Sequence, residues 1–309
     1  MAYIALIVDL LEPYQSRISE SHEVARLRVQ DISADEPACQ RAQVVWTNGM
    51  VGLSDAAMAC FPALELIVCQ GVGYDGVDVA AANRRGITVA AGHGVNSTTV
   101  ADHAMALLLA LLRRIPALDA SVRDGQWLDV RRLQPILTGC RVGIVGFGRI
   151  GQLIARRAEG FDCTVRYHAR HAVADTGFEY VDTACALADI SDVLILCCPG
   201  GPATHHMIDA QVLAALGSDG VLVNVARGSV VDSDALFAAL AERQIAGAAL
   251  DVLEGEPEVP QRWRELDNVI FTPHTGGLSA VAFDEMMRQA LASMKAHVCG
   301  DVVPGRVGD

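Results

Sequence analysis

Short runs of apolar residues recur along the first third of the chain, and the segments between them carry apolar positions at helical spacing. The runs lie at residues 3–8, 44–46, 64–69 and 87–90. Strands that are buried on both faces read as continuous apolar runs, and parallel strands need long crossover connections that are usually helices. This pattern therefore predicts a first α/β domain with a parallel sheet.

A long apolar segment follows at 97–114, and it differs from the strands in its length and in its ends. Three hydroxyl residues at 97–99 open it, and Arg113 and Arg114 close it. Hydroxyl side chains accept hydrogen bonds from the first N–H groups of a helix, and cations are favourable at its C-terminus. We predict one helix from 97 to about 114, which is long enough to connect two domains.

A second series of apolar runs begins after this helix, again with helical patterns between most of them. The runs lie at 141–147, 163–168, 193–197, 221–225, 247–250 and 269–271. The alternation predicts a second doubly wound α/β domain. The final helical pattern, about 279–298, is long enough to pack back on the first domain. We therefore predict a discontinuous first domain of residues 1–96 plus about 285–309, and a second domain of residues 97–284.

The composition adds limits on partners and location. The chain has 309 residues, of which 51% are hydrophobic, and its 24 Lys and Arg against 37 Asp and Glu give a net charge of −13. Such a charge repels nucleic acid and anionic membranes. The longest apolar stretch, 104–112, is about half of the length that spans a bilayer. The N-terminal apolar run has no basic segment before it. We expect a cytoplasmic protein that binds neither nucleic acid nor membrane.

The residue counts disfavour several kinds of site. Lys295 is the only lysine, so a Schiff-base lysine or a P-loop lysine has essentially no candidate upstream of the last helix. The nine cysteines lack the paired short spacings of a zinc site, and we interpret them as buried thiols in a reducing compartment. The neighbours His205 and His206 suggest a metal pair, but we expect adjacent side chains to point apart and see no third ligand. We predict no metal site.

A glycine-rich turn lies between the predicted strand at 141–147 and a helical pattern. Gly146, Gly148 and Gly151 form the G-x-G-x-x-G spacing. In this motif the first glycine permits a tight turn, the second lets the backbone approach a pyrophosphate, and the third lets the helix pack closely on the strand. The helix N-terminus offers N–H donors. A chance glycine cluster is the alternative, but the flanking strand and helix favour dinucleotide binding.

The end of the next predicted strand bears on which dinucleotide binds. A site for NAD presents an acidic residue to the ribose diol here, but the chain has His168, Ala169, Arg170 and His171. An arginine pairs with a 2′-phosphate, and the missing acid removes a repulsion. We therefore favour NADP(H) over NAD(H). The alternative is that Arg170 is a solvated turn residue and that the site accepts both cofactors.

Three segments at predicted strand ends carry the polar groups that a hydride-transfer site needs. They are 224–228 with Arg227, 254–257 with Glu256, and 272–277 with His274. Together with the glycine motif and the segment 248–252, they resemble the D-isomer-specific 2-hydroxyacid dehydrogenases in order and spacing, over nearly the whole chain. The resemblance is greatest to the glyoxylate/hydroxypyruvate reductase branch. Two positions depart from the family pattern: Asp102 stands where glutamate is usual, and the loop 197–204 matches in outline only.

The resemblance implies a fold and a set of contacts. The expected fold is two Rossmann-like or flavodoxin-like doubly wound parallel-sheet domains with a cleft between them. The discontinuous domain of residues 1–96 plus about 285–309 is the expected substrate domain, and residues 97–284 are the expected dinucleotide-binding Rossmann domain. The backbone N–H groups of Val72 and Gly73 are expected to receive a substrate carboxylate oxygen, and Asp251 to form a hydrogen bond on the cofactor side. The expected cofactor contacts are Gly146, Gly148, Arg149, Ile150, Gly151, His168, Arg170, Cys198, Pro199, Thr204, Val225, Ala226, Asp251 and Gly276.

The three polar segments can be given chemical roles within this family. Reducing a ketone needs a hydride on carbon and a proton on oxygen, and histidine exchanges protons near neutral pH. We assign His274 as the general acid and Glu256 as the carboxylate that fixes its tautomer and favours the imidazolium. Arg227 is assigned as the planar clamp of the substrate carboxylate and carbonyl. Each residue alone would more often be an ordinary loop residue, and only their joint order supports the assignment.

The predicted activity is the reduction of a small 2-oxoacid, with glyoxylate or hydroxypyruvate favoured, to the D-2-hydroxyacid. The alternatives are a dehydrogenase for phosphoglycerate or an aryl oxoacid, and a corepressor-like protein that binds the cofactor to present a protein-binding surface. The family also leads us to expect a homodimer, with residues 100–114 and 124–127 at its interface. The apolar face of that helix could equally be internal core.

Overall fold

The computed structural model describes residues 2–10, 12, 14–128 and 131–308. The chain divides into two compact units, one of residues 1–96 with 278–309 and one of residues 97–277. The sequence analysis placed the return to the first unit at about residue 285, and the structure places it at Leu278. Met1 and Asp309, the ends of the first predicted domain, lie outside the described residues.

Strands and helices alternate through most of the chain. In chain order they are β1 (Tyr3–Leu6), α1 (Tyr14–Ser19), β2 (Glu23–Arg26), α2 (Pro37–Arg41), β3 (Val44–Asn48), α3 (Asp55–Met58), β4 (Leu66–Gln70), α4 (Val79–Arg84), β5 (Thr88–Ala91), α5 (Ser97–Leu112), α6 (Ile115–Arg123), β6 (Arg141–Val145), α7 (Arg149–Glu159), β7 (Thr164–His168), β8 (Glu179–Tyr180), α8 (Ala184–Asp189), β9 (Val193–Leu196), α9 (Ala210–Leu216), β10 (Val221–Asn224), α10 (Ser233–Ala241), β11 (Gly247–Leu250), β12 (Val269–Phe271), α11 (Ala280–Cys299) and β13 (Arg306–Val307). Short 3₁₀ turns lie at Val29–Asp31, Gly228–Val230 and Gln261–Glu265.

The first unit contains a six-stranded sheet in the order β13-β5-β4-β3-β1-β2. β13 pairs antiparallel with β5, and the other pairs are parallel. Successive side chains of a strand point to opposite faces. In β4, Leu66 and Val68 pack with Trp46 and α11, whereas Ile67 and Cys69 pack on the other face. Both faces are therefore buried, which explains the continuous apolar runs in the sequence.

The long helix α11 covers one face of this sheet. Its buried residues Met287, Ala290 and Met294 pack against the strands, while Arg288 and Lys295 lie on its exposed side. The helix is therefore amphipathic, as a helix on the surface of a sheet should be. Among the helices of the described chain, none is both long and apolar enough to cross a lipid bilayer.

The second unit contains a parallel seven-stranded sheet in the order β12-β11-β10-β9-β6-β7-β8. Helices α5 and α7 pack on the face that carries Ile144 and Ile195, and α8, α9 and α10 pack on the face that carries Val145 and Leu196. The strand order reverses at β6, which pairs with β7 on one side and β9 on the other. Ligands of open α/β sheets bind outside the carboxyl ends of the strands at such a reversal.

This architecture confirms the predicted α/β class with two largely parallel sheets. Three strands escaped prediction: β2, β8 and β13. All three lie at sheet edges and are half-exposed. An edge strand needs no continuous apolar run, because one side of its backbone ladder and much of its surface face solvent.

The helix predicted from 97 to about 114 is confirmed as α5, which ends two residues earlier. Helix α5 stops at Leu112 and α6 begins at Ile115. Arg114 between them adopts a left-handed conformation with φ 50°, which no helix continues through. Pro116 in the first turn of α6 lacks an N–H and fits where none is needed. The apolar face of α5 packs on its own sheet, so that face is internal core.

Candidate active site

The turn after β6 brings the backbone into close contact with the loop after β9. Gly146 has φ +96°, and a Cβ there would lie 2.6 Å from the backbone of Cys198. Its N–H donates to the carbonyl oxygen of His168 at 2.8 Å. Only glycine combines this φ with so close an approach. The first glycine of the motif thus joins the carboxyl ends of three neighbouring strands.

The other two glycines of the motif have opposite surroundings. A Cβ on Gly151 would lie 2.2 Å from the carbonyl oxygen of Gly146, whereas a Cβ on Gly148 would meet nothing within 4 Å. Gly151 therefore lets α7 approach the strand end, and Gly148 leaves space before the helix. Within the described chain no side chain caps α7. Its first N–H groups are therefore available to an anion. Arg149 and Ile150 form the start of this helix.

The loop after β9 lies beside the glycine turn. Cys197 Sγ donates to the carbonyl oxygen of Gly146 at 3.0 Å, and Thr204 Oγ1 donates to the carbonyl oxygen of Pro199 at 2.8 Å. Burial raises the pKa of the Cys198 thiol to about 11, although the positive charge of Arg227 acts in the opposite direction. Burial also raises the pKa of the Cys197 thiol. Both thiols are protonated at neutral pH and form part of the packing of this loop.

The end of β7 carries histidine and arginine where an acid could stand. His168 Nδ1 lies 3.0 Å from the carbonyl oxygen of Val181, and because a carbonyl only accepts, Nδ1 carries the proton. Arg170 and His171 are exposed. A ligand phosphate near this strand end would therefore meet cationic or neutral side chains and no carboxylate from residues 168–171.

Asn224 fixes the turn that follows β10. Its side chain accepts from Ala226 N at 3.0 Å and donates to the carbonyl oxygen of Arg227 at 3.1 Å. The Arg227 guanidinium donates to the carbonyl oxygen of Ala226 at 2.8 Å. Val225 and Ala226 are buried. This short turn places Arg227 at the carboxyl edge of the sheet.

His274 and Glu256 form a direct pair between the loops that follow β12 and β11. His274 Nδ1 lies 2.6 Å from Glu256 Oε1, and the two side chains are 32% and 30% exposed. The second oxygen of Glu256 accepts from Leu253 N at 3.3 Å. Because a carboxylate accepts the Nδ1 proton, Nε2 of the ring is left to act on a ligand. His274 adopts φ 54°, an uncommon backbone conformation for a residue with a side chain.

A buried carboxylate holds the loop that carries His274. Asp251 is 4% exposed, and its oxygens accept from Thr272 Oγ1 at 2.6 Å, Thr275 N at 2.9 Å and Gly276 N at 2.8 Å. His103 Nε2 of α5 lies 3.2 Å from the same carboxylate. In addition, His274 N donates to the backbone oxygen of Asp251 at 2.9 Å. Asp251 thus fixes the orientation of the loop from within the protein.

Sequence reasoning missed His103. It noted this residue only within a family motif at the start of α5. The available signal was its isolation: between Asp102 and Arg113 it is the only strongly polar residue of an otherwise apolar helix. A polar side chain at such a position needs a buried partner, and Asp251 and Thr272 provide one.

The loop with Val72 and Gly73 belongs to the first unit. It follows β4, and both residues are half-buried. A Cβ on Gly49 would lie 2.6 Å from the carbonyl group of Gly73, so the two loops pack closely. Arg227, Glu256 and His274 all belong to the second unit. The expected role of Val72 and Gly73 in binding substrate stays a prediction.

Both reasons given against a metal pair at His205 and His206 were wrong. The two imidazole rings stack with their centroids 3.9 Å apart and do not point away from each other. Glu254 supplies a third group, with His206 Nε2 3.1 Å from its Oε1. Sequence reasoning missed this cluster because Glu254 is 48 positions away in sequence.

The sequence of the second unit matches a known family. Residues 105–276 match the profile described as "D-isomer specific 2-hydroxyacid dehydrogenase, NAD binding domain", which is more than half of the chain. The chain belongs to the D-isomer-specific 2-hydroxyacid dehydrogenases. The predicted family is therefore confirmed, and so is the predicted class of enzyme, a nicotinamide-dependent oxidoreductase.

Several members of the 2-hydroxyacid dehydrogenase family are similar along most of the chain. A glyoxylate/hydroxypyruvate reductase from Arabidopsis thaliana is 40% identical over 251 residues, which cover 81% of this chain and 78% of the relative. A hydroxyphenylpyruvate reductase from Plectranthus scutellarioides is 39% identical over 254 residues, covering 82% and 81%.

Solved structures agree with this placement. The structure of an NADPH-dependent glyoxylate/hydroxypyruvate reductase from Sinorhizobium meliloti, in complex with NADP and malonate, has a TM-score of 0.92 at 36% identity, and the match covers 99% of this chain and 96% of that one. These relatives confirm the glyoxylate/hydroxypyruvate reductase branch that the motifs predicted.

Gly148, just before α7, and Gly151, in its first turn, give a matched pair of substitutions in this dehydrogenase. Gly151→Ala should lower the free energy of unfolding by about 1–3 kcal/mol, because its methyl group overlaps a backbone oxygen. Gly148→Ala should change that free energy by less than about 0.5 kcal/mol but weaken dinucleotide binding, because the methyl group occupies the space before the helix. Urea unfolding and cofactor titration measure the two effects. Equal stability of the two variants would contradict this account of the motif.

Proposed function

We propose that this 2-hydroxyacid dehydrogenase reduces a small, unphosphorylated 2-oxoacid, with glyoxylate or hydroxypyruvate favoured, to the D-2-hydroxyacid, with NADPH as the hydride donor. The observation that carries the proposal is the 2.6 Å contact between His274 Nδ1 and Glu256 Oε1. It lies at the same edge of the sheet as the open N-terminus of α7. The relative from Arabidopsis thaliana named a glyoxylate/hydroxypyruvate reductase supports a small substrate.

His274 is the proton donor in this proposal. The cofactor supplies a hydride to the carbonyl carbon when it is bound. As that C–H bond forms, the carbonyl oxygen gains negative charge and takes the proton from His274 Nε2. The imidazole becomes neutral and regains a proton from solvent, while Glu256 keeps its hydrogen bond to Nδ1. A carboxylate bonded to Nδ1 fixes the tautomer and the orientation of the ring, so Nε2 is already positioned to donate its proton.

Arg227 holds the substrate in this scheme. A planar guanidinium forms paired hydrogen bonds with a carboxylate, and the turn fixed by Asn224 limits where the arginine can reach. Backbone N–H groups of Val72 and Gly73 are proposed to receive the remaining carboxylate oxygen. Asp251, whose oxygens already accept several protein donors, acts here by holding the His274 loop.

The proposed preference for NADPH rests on the strand end of β7. Arg170 is exposed and can pair with a 2′-phosphate, and no carboxylate of residues 168–171 opposes one. The similar reductase from Sinorhizobium meliloti is described as NADPH-dependent and contains NADP. The remaining cofactor contacts are proposed along the glycine turn, Cys198, Pro199 and Thr204, and Val225, Ala226 and Gly276.

Initial rates across a panel of oxoacids test the reaction. The full chain is assayed with NADPH on glyoxylate, hydroxypyruvate, pyruvate and phenylpyruvate. We expect turnover on one of the first two. His274→Ala should lower kcat by about 100- to 10,000-fold while the Kd for NADPH stays the same. An undiminished kcat would remove His274 from the mechanism. Tight NADPH binding by the wild type without turnover on any acid would contradict the reductase and favour the corepressor-like alternative.

Arg170→Ala tests the choice of cofactor. The loss of one charge-assisted hydrogen bond, about 1.5–3 kcal/mol, should raise the Kd for NADPH by about 10-fold or more and leave the Kd for NADH nearly unchanged. Arg156→Ala is the matched control, because Arg156 is an exposed arginine on the far turn of α7. Fluorescence titration with each nucleotide gives the constants. A parallel loss for both cofactors would show that Arg170 does not read the 2′-phosphate.

We also propose that the protein forms a homodimer and is located in the cytoplasm. Trp127, Leu128, Leu133 and Ile136 are all exposed, and monomeric proteins rarely expose so many large apolar side chains in one segment. All nine cysteines are free, as is typical of a reducing compartment. In analytical ultracentrifugation we expect twice the chain mass for the wild type and the single chain mass for Trp127→Glu/Leu133→Glu. A monomeric wild type would contradict the dimer.

A further inference from the structure

We propose that His205, His206 and Glu254 form a binding site for one divalent transition-metal ion, of the class that includes zinc, cobalt and nickel. These three residues are called the dihistidine cluster below. Each offers one ligand atom, and these atoms all lie within 4.8 Å of one another. Atoms bonded at about 2.0–2.2 Å to one tetrahedral ion lie about 3.5 Å apart, so a modest rotation of these side chains brings all three atoms to bonding distance.

The backbone explains how two adjacent histidines come to share one side. His206 adopts φ 50°, a left-handed conformation that side chains rarely take. The bend is held by a hydrogen bond from His206 N to the carbonyl oxygen of Ser229 at 2.9 Å. At this bend the two rings stack with an interplanar angle of 30°. Backbone strain of this kind costs free energy and is concentrated at functional sites.

The donor set selects the class of ion. Two imidazole nitrogens and a carboxylate suit zinc, cobalt, nickel and copper, whereas magnesium and calcium prefer oxygen ligands alone. The net charge of −13 favours the approach of any cation. Both histidines and Glu254 are at least partly exposed, so an ion can enter and a water molecule can complete its coordination.

Thiols near this loop do not compete for the ion. Cys197 and Cys198 lie a few positions before the dihistidine cluster, and burial raises the pKa of each thiol, to about 11 for Cys198. Metals bind the thiolate form. In addition, Cys197 Sγ donates to the carbonyl oxygen of Gly146, and the group of neighbouring ligand atoms consists of those of His205, His206 and Glu254.

A bound ion would connect three loops of the second unit. His205 and His206 belong to the loop after β9, Ser229 accepts from His206 in the turn after Arg227, and Glu254 lies two positions before Glu256. Without an ion, the pair of His206 and Glu254 contributes little to stability, because solvent screens two partly exposed groups. With an ion, binding to the folded state alone should raise its stability by mass action.

Titration of the chelator-treated, full-length protein with Co²⁺ tests the site, independently of any turnover. We expect one Co²⁺ per chain, with visible d–d absorption, no thiolate charge-transfer band, and a rise in Tm. His205→Ala and Glu254→Gln should each weaken binding by at least about tenfold, since loss of even an outer partner of a ligand costs about 10- to 100-fold. Zn²⁺ should displace the Co²⁺, and Mg²⁺ should not.

His297→Ala is the matched control. His297 Nε2 lies 3.0 Å from Glu65 Oε2, so it forms a histidine–carboxylate pair without a neighbouring second histidine. This variant should bind Co²⁺ as the wild type does. Any of the following outcomes overturns the proposal: no saturable binding below about 1 mM, equal binding by the two cluster variants and the wild type, or a thiolate band that places the ion on cysteine. Equal displacement by Mg²⁺ would likewise reduce the site to an acidic surface.

Discussion

A buried carboxylate needs hydrogen-bond donors inside the protein, and the donors to Asp251 include the loop that carries His274. Its donors come from α5, from the end of β12 and from the loop that follows. An unsatisfied buried carboxylate would cost several kcal/mol, so these segments are held together. The orientation of His274 toward Glu256 follows from this arrangement, since the same loop carries His274. The geometry of the His274–Glu256 pair is therefore held by hydrogen bonds to a carboxylate that lies inside the protein.

How much of this was accessible from the sequence depended on the range of the interactions. The G-x-G-x-x-G turn was accessible because a turn and a helix start are local, and Gly146 and Gly151 meet each other within six residues. Central strands were accessible because burial on both faces leaves continuous apolar runs. The edge strands β2, β8 and β13 left no such signal. The break at Arg114 depended on one left-handed residue, which the apolar pattern does not record.

Contacts between distant segments were harder to predict. His103 and Thr272 are 169 positions apart, and their side chains are in contact because α5 packs on one face of the sheet. Glu254 joins His206 across 48 positions, and the assumption that adjacent side chains point apart failed at a residue with positive φ. The family motifs predicted Arg227, Glu256 and His274 in their order along the chain. They did not predict the hydrogen bonds of Asn224 and Asp251 that hold the neighbouring turns. The chemical groups were therefore predictable from local motifs, whereas the contacts that hold them form only between segments far apart in sequence.

The sheet of the first unit joins the two ends of the chain. Residues near the N-terminus form β1 to β5, yet α11 covers one face of those strands and β13 pairs with β5. During synthesis on a ribosome, the apolar face with Trp46 and Leu66 stays uncovered until α11 emerges, whereas every residue of the second unit emerges before α11. Vectorial synthesis therefore favours folding of the second unit before the first, and the nascent chain carries an uncovered apolar surface that chaperones can bind until α11 has emerged.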